Sequence, residues 1–180
     1  MLTLASGSPQ RRAILAQLGI EFEVVVPGVD ELTGGDPGTT VVENAVRKLR
    51  AVGGDPVVAC DTEVFLDGEV FGKPEDEPQA RAFLERLSGR VHEVWGGLAL
   101  RIDGEERTTR AVTRVRFCAL GPSDIGWYLR TGEWRDRAGA YAIQGRGAAL
   151  VESVEGDFWN VVGLPLAELV KIAPELVKAG

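Results

Sequence analysis

The chain has 180 residues, of which 44% are hydrophobic and 26% charged, and this balance predicts one globular domain over residues 1–180. The formal net charge of −7 leaves no basic excess, which argues against nucleic acid and against an anionic membrane surface as partners. An anionic small molecule stays open, because a few cations can gather in one cleft of an acidic protein.

The N-terminal residues lack a basic leader, and no apolar stretch approaches the ~18 residues of a membrane span. The two cysteines, Cys60 and Cys118, lie in apolar runs without zinc spacing, so we predict buried, reduced thiols. These features together predict a cytoplasmic protein.

The first half of the chain alternates predicted strands and helices. They are a strand over 2–5, a helix from Pro9 with Ser8 as N-cap and Gly19 as stop, a strand over 22–26, a helix over 40–52, a strand over 57–60 and a helix over 76–87 capped by Asp76. For the second helix, Thr40 and Glu43 match a capping box, and the spacing predicts a buried face of Val42, Ala45, Val46 and Leu49. The dipeptide Asp67-Gly68 predicts a hairpin.

The second half favours paired strands. The predicted elements are strands over 91–102 and 108–120 joined by Asp103-Gly104, a helix over 122–130, a glycine-rich loop over 139–147, a strand over 148–154 and a terminal helix over 164–177 interrupted at Pro174. Since strands first alternate with helices and later pair with one another, the sequence predicts an α/β domain with a mixed sheet flanked by helices.

A small-residue turn and a helix N-terminus follow the first strand. The free N–H groups and the positive helix end around Ser8 suit an anion, and Arg11 and Arg12 can add fork-shaped donors to phosphate oxygens. The alternative is that Ser8 only caps the helix and both arginines are solvated.

Acidic residues mark two further places. Asp30 and Glu31 begin a Gly/Pro-rich loop and are either ligands of a hard metal ion or solvated loop residues. Asp61 directly follows the apolar run at 57–60, at the strand end where open α/β sheets bind ligands. A carboxylate in such an apolar setting needs a partner, which favours a functional role for Asp61.

Two lysines can reach the same region. Lys48 lies at the edge of an apolar helix face, where it either extends to water or points into a cleft as a phosphate-binding charge. In the predicted hairpin Thr62 pairs with Lys73, so strict alternation places Lys73 on the Thr62 face and Asp61 on the other. Lys73 and Asp61 can therefore share a site only if the pairing stops or bulges first.

Two remaining polar side chains are candidates for a functional role. Gln144, in the glycine-rich loop, can donate to and accept from a nucleobase edge or from backbone. The single histidine, His92, is a conceivable general base, but its place at a strand start favours a surface or capping role.

Taken in order and spacing, these fragments make the chain resemble the Maf-like nucleotide pyrophosphatases nearly end to end. The matching stretches are residues 4–9 with Arg11, 29–31, Lys48, 61–62, 72–74, 87–89, 138–141 with 143–145, and 161–166. The resemblance implies an elongated, inosine triphosphatase-like α/β fold with two lobes and a central cleft. It also implies hydrolysis of a nucleoside triphosphate to monophosphate and pyrophosphate with a divalent metal (Mg, Mn or Co), and a homodimer.

The resemblance also implies roles for residues. Asp61 matches the acid proposed to accept a proton from the attacking water, and Ser8, Arg11, Glu31, Lys48 and Lys73 match the substrate and metal site. For this reaction, either Glu31 and Asp61 hold the metal ion or Asp61 takes a proton from water. Thr62 and Gln144 match the branch that acts on dTTP and UTP. Gln10, however, stands where many members of that branch have Arg, and Arg47 stands where the family often has Glu.

Base preference therefore stays open at this point. The alternatives are a pyrophosphatase for modified nucleotides such as methylated ones, a nucleotide-binding regulator of cell division, and a phosphatase that releases orthophosphate. The presence of Asp61, Lys48 and Lys73 together favours an enzyme.

Overall fold

The computed structural model of the chain describes residues 1–178, which form a single mixed sheet with helices on both faces. The strands are β1 Leu2–Ala5, β2 Phe22–Val25, β3 Val57–Leu66, β4 Glu69–Phe71, β5 Val91–Ile102, β6 Glu105–Phe117 and β7 Val151–Glu155. The α-helices are α1 Pro9–Gln17, α2 Pro37–Arg50, α3 Glu77–Leu87, α4 Pro122–Arg130, α5 Phe158–Val162, α6 Leu166–Ile172 and α7 Pro174–Lys178. Two 3-10 helices span Ala138–Ala140 and Arg146–Leu150. Within residues 1–178 no helix is long and apolar enough to cross a bilayer.

The sheet confirms the predicted mixed α/β class. Its order is β2-β1-β3-β5-β6-β7, with β4 pairing on the same side of β3 as β1. The β2-β1-β3 pairs are parallel, whereas β3-β5, β5-β6, β6-β7 and β3-β4 are antiparallel. This change of direction fits the connections, because helices join the parallel early strands, whereas tight turns join β3 to β4 and β5 to β6.

Strand β3 extends to Leu66 instead of ending at residue 60, so Asp61 lies within the strand and not at its end as predicted. The edge of β3 is interrupted. Strand β1 pairs with Val57 and Val58, and β4 pairs with residues 64–66. Between these stretches, residues 59–63 pair with β5 alone in the described part of the chain. Side chains from both faces of the sheet can therefore reach one opening at this edge.

Helix α2 begins earlier than predicted, so its capping box and buried face are corrected. Asp36 is the N-cap, with its carboxylate accepting from Thr39 N at 2.9 Å, and Pro37 takes the first helical position. Thr40 instead donates to Gly34 O at 2.8 Å. The buried side of the helix is shifted by one residue, so it carries three polar residues among its apolar ones: Thr40, Val41, Asn44, Ala45, Lys48 and Leu49.

The C-terminal region also differs from the prediction. The expected helix over 164–177, interrupted at Pro174, is observed as two short helices, α6 and α7, with α7 starting at Pro174. A further short helix that was not predicted, α5, precedes them and ends at Gly163, which adopts a φ of 134°. Strand β7 starts at Val151 rather than at residue 148, since a 3-10 helix occupies residues 146–150. The hairpin of β5 and β6 is tighter than predicted, with β6 running over 105–117 directly after the Asp103-Gly104 turn.

Hydrophobic clusters lie toward both ends of β3, as expected for two lobes. One contains Val58 and Cys60 and joins β1 and α1 to the C-terminal helices. Another contains Val64 and Leu66 and joins β4, α3 and α4. The polar residues Asp61 to Glu63 fall between these clusters, so the lobes meet at the interrupted edge.

Two adjacent glycines in β5 let helices approach this part of the sheet from both faces. Gly97 pairs with Asp61 in the neighbouring strand, and a Cβ added there would overlap the carbonyl of Val41 and lie 2.7 Å from Val42 N. Gly96 pairs with Thr62, and a Cβ there would overlap the amide of Asn160 in α5. The absence of a side chain at Gly97 therefore sets how closely α2 packs beside Asp61.

We predict that Gly97→Ala destabilises the protein by about 3 kcal/mol, the upper end of the usual range for overpacking, because the added methyl meets helix backbone that cannot rotate away. Urea denaturation followed by circular dichroism measures this change. Gly53→Ala is the matched control, since a Cβ at Gly53 meets no atom within 4 Å and should leave stability nearly unchanged. Equal stabilities for the two variants would contradict the packing argument.

Candidate active site

A cleft of about 700 Å³ opens at the interrupted edge of β3. This volume is within the ~300–1,000 Å³ of typical small-molecule sites. The predicted site residues that line it are Ser8, Gln10, Arg11, Glu31, Lys48, Asp61, Thr62 and Lys73. Gln144 is exposed and lies outside this lining.

The first wall is the N-terminus of α1. Ser8 caps the helix, its Oγ accepting from Arg11 N at 3.5 Å, and its own N–H donates to Ser6 Oγ at 3.2 Å. Ser8, Pro9 and Gln10 all line the cleft, so the positive end of the helix faces the opening. Arg12 is exposed outside the lining. The arrangement suits an anion, as the sequence predicted.

Arg11 is buried beside this helix end and is held by neutral acceptors. Its Nε donates to Gly163 O at 2.8 Å, Nη1 to Ser6 Oγ at 3.0 Å and Nη2 to Thr62 Oγ1 at 3.2 Å. Within residues 1–178 it forms no ion pair with a carboxylate. Its charge is thus oriented but not neutralised, which suits a phosphate oxygen.

The second wall is built around Lys48, which α2 carries into the interior. Its Nζ lies 2.6 Å from Glu31 Oε1 and 2.7 Å from Asp61 Oδ1. Lys48 and Asp61 are buried, while the Glu31 side chain is 45% exposed and reaches in from the loop before α2. One ammonium group therefore connects a strand and a loop that are distant in sequence.

Asn44 completes this wall, and sequence reasoning missed it. Its Oδ1 accepts from Leu32 N at 2.7 Å and its Nδ2 donates to Leu32 O at 3.0 Å, a pairing that fixes which way the amide points. The same Nδ2 donates to Asp61 Oδ2 at 2.9 Å. Both oxygens of Asp61 thus act as acceptors. The sequence did contain a signal for Asn44, because a polar residue stands there one turn before Lys48. The predicted buried face of the helix is offset by one residue from the observed face, and this hid the signal.

Glu63 is a second acid that sequence reasoning did not single out. It is 7% exposed, lines the cleft, and its Oε2 has no hydrogen-bond partner among the described residues. Burial raises the pKa of Glu63 to about 7, and the nearby Asp61 and Glu31 carboxylates add to this rise. The cleft therefore contains an acid whose charge has no protein partner.

Lys73 reaches the cleft because strand pairing stops before it. The hairpin has the predicted register, with Leu66 opposite Glu69 and Val64 opposite Phe71, but β4 ends at Phe71. Asp61 and Lys73 consequently line the same opening despite their opposite parity. Strand pairing thus stops before Lys73, which is the condition under which Lys73 and Asp61 can share a site.

The charges that line the cleft balance one another. Four basic residues (Arg11, Lys48, Lys73 and Arg137) face four acidic ones (Glu31, Asp61, Glu63 and Asp136). No group of three His, Cys, Asp or Glu side chains in the described range converges closely enough to hold a metal ion by itself. The donor set still fits Mg²⁺, which usually binds one or two carboxylates and takes its other ligands from substrate phosphates and water.

A mixed sheet with a charged, ligand-sized cleft beside the carboxyl end of β1 defines an α/β protein of the small-molecule-binding class. Residues 1–176 match the Maf-like protein family, and the chain belongs to that family. The predicted resemblance is therefore confirmed.

Several relatives share most of the chain. A dTTP/UTP pyrophosphatase from Symbiobacterium thermophilum is 49% identical over 177 residues, covering 95% of this chain and 91% of that protein. A dTTP/UTP pyrophosphatase from Anaeromyxobacter dehalogenans is 50% identical, covering 93% and 89% respectively. Among solved structures, the Staphylococcus aureus Ham1 protein has a TM-score of 0.47 and 16% identity over 64% of this chain and 71% of that one.

His92 lies outside the cleft lining, and the predicted surface or capping role is wrong. It is 1% exposed, its Nε2 lies 2.8 Å from the Tyr141 hydroxyl, and its ring packs edge-on against Phe117 and Tyr141. Its Nδ1 has no partner in the described part of the chain. Burial lowers the pKa of His92 to about 4, so this ring is a neutral member of the core.

We predict that His92 makes the protein less stable in acid. An unfolded histidine, with a pKa of about 6.5, binds a proton before the folded one does, so this stability is complete above pH 6.5 and is lost as pH falls toward 4. The loss should be on the order of 3 kcal/mol. The measurement is the difference in unfolding free energy between wild type and His92→Gln from pH 7 to pH 4. Because His92 is the single histidine, this difference separates the contribution of His92 from that of the carboxyl groups. A pH-independent difference would contradict the assignment.

Proposed function

We propose that this protein is a nucleoside triphosphate pyrophosphatase that converts dTTP and UTP to the monophosphate and pyrophosphate, in a house-cleaning role. The observation that carries the proposal is the Asp61 carboxylate, held by Lys48 and Asn44 in a cleft whose opposite wall is the α1 N-terminus with Arg11. The names of relatives that are about half identical over most of their length support the same reaction.

The cleft offers a place for the phosphates. The helix end at Ser8, the unneutralised Arg11 and the exposed Lys73 form its basic side. As charge develops on the pyrophosphate leaving group, these fixed donors stabilise it more than they stabilise the ground state. Lys48 contributes a further positive charge while it keeps Asp61 and Glu31 in place.

A divalent cation fits this cleft on charge grounds. A triphosphate carries roughly four negative charges, whereas the charged residues that line the cleft sum to zero. We propose that Glu31 and Asp61 hold Mg²⁺, Mn²⁺ or Co²⁺ together with the substrate phosphates. When bound, such an ion neutralises phosphate charge and polarises the phosphoryl group.

Asp61 is also the best-placed acceptor for a proton from the attacking water. Lys48 and Asn44 each occupy one position on its two oxygens, and a carboxylate offers about four acceptor positions in total. The two hydrogen bonds hold the group in one orientation, which a general base needs. Asp61 can therefore accept the proton as water attacks the α-phosphorus.

The family resemblance links the positions of Gln10 and Thr62 to substrate choice. Gln10 lines the cleft and accepts from Ser8 Oγ at 3.0 Å, and Thr62 accepts from Arg11. We propose these two as the residues that sense the nucleotide. A role for Gln144 stays a prediction, because its side chain is exposed outside the lining.

We further propose a cytoplasmic location. Cys60 is buried as predicted, whereas Cys118 is only half-buried, and neither forms a disulfide within residues 1–178. Burial raises the pKa of the Cys60 thiol to about 11, so it is unreactive. Free thiols of this kind are typical of reducing compartments. A homodimer stays a prediction of the family resemblance.

The function is tested by product analysis. Incubation of dTTP, UTP, other common triphosphates and methylated nucleotides with Mg²⁺ or Mn²⁺ should give monophosphate and pyrophosphate, fastest for dTTP and UTP. Chromatography identifies the nucleotide products, and separate assays quantify pyrophosphate and orthophosphate. Preference for a methylated nucleotide would redirect the proposal to modified substrates. Orthophosphate as the first product would indicate a phosphatase, and bound but unchanged nucleotide a regulator.

We predict that Asp61→Asn lowers kcat for dTTP by at least about 10²-fold, the lower end of what a general base contributes. Steady-state kinetics with saturating metal measures the effect. Asp30→Asn is the matched control, because Asp30 is exposed on the same loop as Glu31 but outside the cleft lining. Near-normal turnover by the Asp61 variant would exclude Asp61 as the base.

A further inference from the structure

Glu63 is a buried carboxylate in the cleft to which the roles above assign no partner. It is 7% exposed, yet its Oε2 has no hydrogen-bond partner in residues 1–178. Leaving a carboxylate oxygen buried and unpaired is unfavourable by several kcal/mol in general, so such groups mark places where a ligand supplies the missing partner. Since Glu63 lines the cleft, that ligand would come from the cleft.

The surroundings of Glu63 indicate the kind of ligand. Asp61 and Glu63 are two residues apart in β3 and share one face of the sheet. Lys48 pairs with Asp61 and Glu31 and forms no ion pair with Glu63 in the described range. When all three acids are ionised, three carboxylates against one ammonium group leave two negative charges in excess. A divalent cation matches this excess, whereas a phosphate group would be repelled.

The geometry excludes a direct three-carboxylate cage, because no three such side chains within residues 1–178 converge on one point. Mg²⁺ and similar ions retain several waters when proteins bind them, and acidic groups beyond the direct ligands accept hydrogen bonds from those waters. Glu63 has the free acceptor oxygen that this role requires.

We propose that Glu63 is a third acidic residue of the divalent-cation site, where its Oε2 accepts a hydrogen bond from a water held by the cation that Glu31 and Asp61 bind. This inference rests on the proposed function for its cation. It adds a residue that fixes cation affinity without contacting the nucleotide.

Calorimetric titration of nucleotide-free protein with Mn²⁺ tests the proposal. Glu63→Gln retains the size of the side chain and removes its charge, and its dissociation constant should rise by about tenfold or more, as for other groups that act on a metal through its ligands. The elevation of Tm by Mn²⁺ should shrink in parallel, while Tm without metal should stay the same or rise because an uncompensated buried charge is lost.

Asp136→Asn is the matched control, since Asp136 lines the same cleft but is exposed. Its Mn²⁺ affinity should remain close to that of wild type. Equal weakening in the two variants, wild-type affinity in Glu63→Gln, or no Mn²⁺ binding by the wild-type protein would each overturn the proposal.

Product analysis separates this outcome from the proposed function. If the wild-type protein releases pyrophosphate from dTTP and Glu63→Gln binds Mn²⁺ normally, the function stands and the role of Glu63 is overturned. If the wild-type protein releases no pyrophosphate while Glu63→Gln still binds Mn²⁺ weakly, the cation site stands and the function fails.

Discussion

The cleft depends on the ion pairs that the buried ammonium group of Lys48 forms. This group sits between Asp61 on the central strand and Glu31 on the loop before α2. Removing one member of such a cluster would leave charges buried without compensation, which proteins tolerate poorly. The loop, the helix and the strand are therefore held in one relative arrangement. Asn44 reinforces it through the backbone of Leu32 and the second oxygen of Asp61.

The opening at the edge of β3 explains why charged residues with different positions in the sheet converge. Strand β1 stops pairing at Val58, and β4 begins to pair only at Val64. Asp61 faces α2 across this gap, whereas Thr62 faces Arg11 on the other side. A continuous strand at this edge would separate these two groups. Because strand pairing is interrupted here, side chains from both faces of the sheet line one cleft. The adjacent glycines of β5 let α2 and α5 pack closely against the sheet beside it.

Local sequence patterns predicted much of the fold. The helix started by Ser8-Pro9, the hairpin at Asp67-Gly68 and the helix capped by Asp76 all have the expected places. Predictions failed at element boundaries where a neighbouring local pattern competes. The apparent capping box at Thr40 lost to Asp36, since Thr40 donates to Gly34 instead. The strand predicted over 148–154 starts at Val151, because a 3-10 helix occupies residues 146–150.

For the cleft, the sequence by itself determined which residue types are present and that Asp61 ends an apolar run where a carboxylate needs a partner. It also determined the helix N-terminus at Ser8, because capping is decided by neighbouring residues. Only the tertiary structure decided that Lys48 and Asn44 are Asp61's partners, that Lys73 shares its opening, and that Glu63 has no partner among the described residues. The physical reason is range: capping and turns act over a few residues, whereas the compensation of a buried charge depends on every element that packs around it.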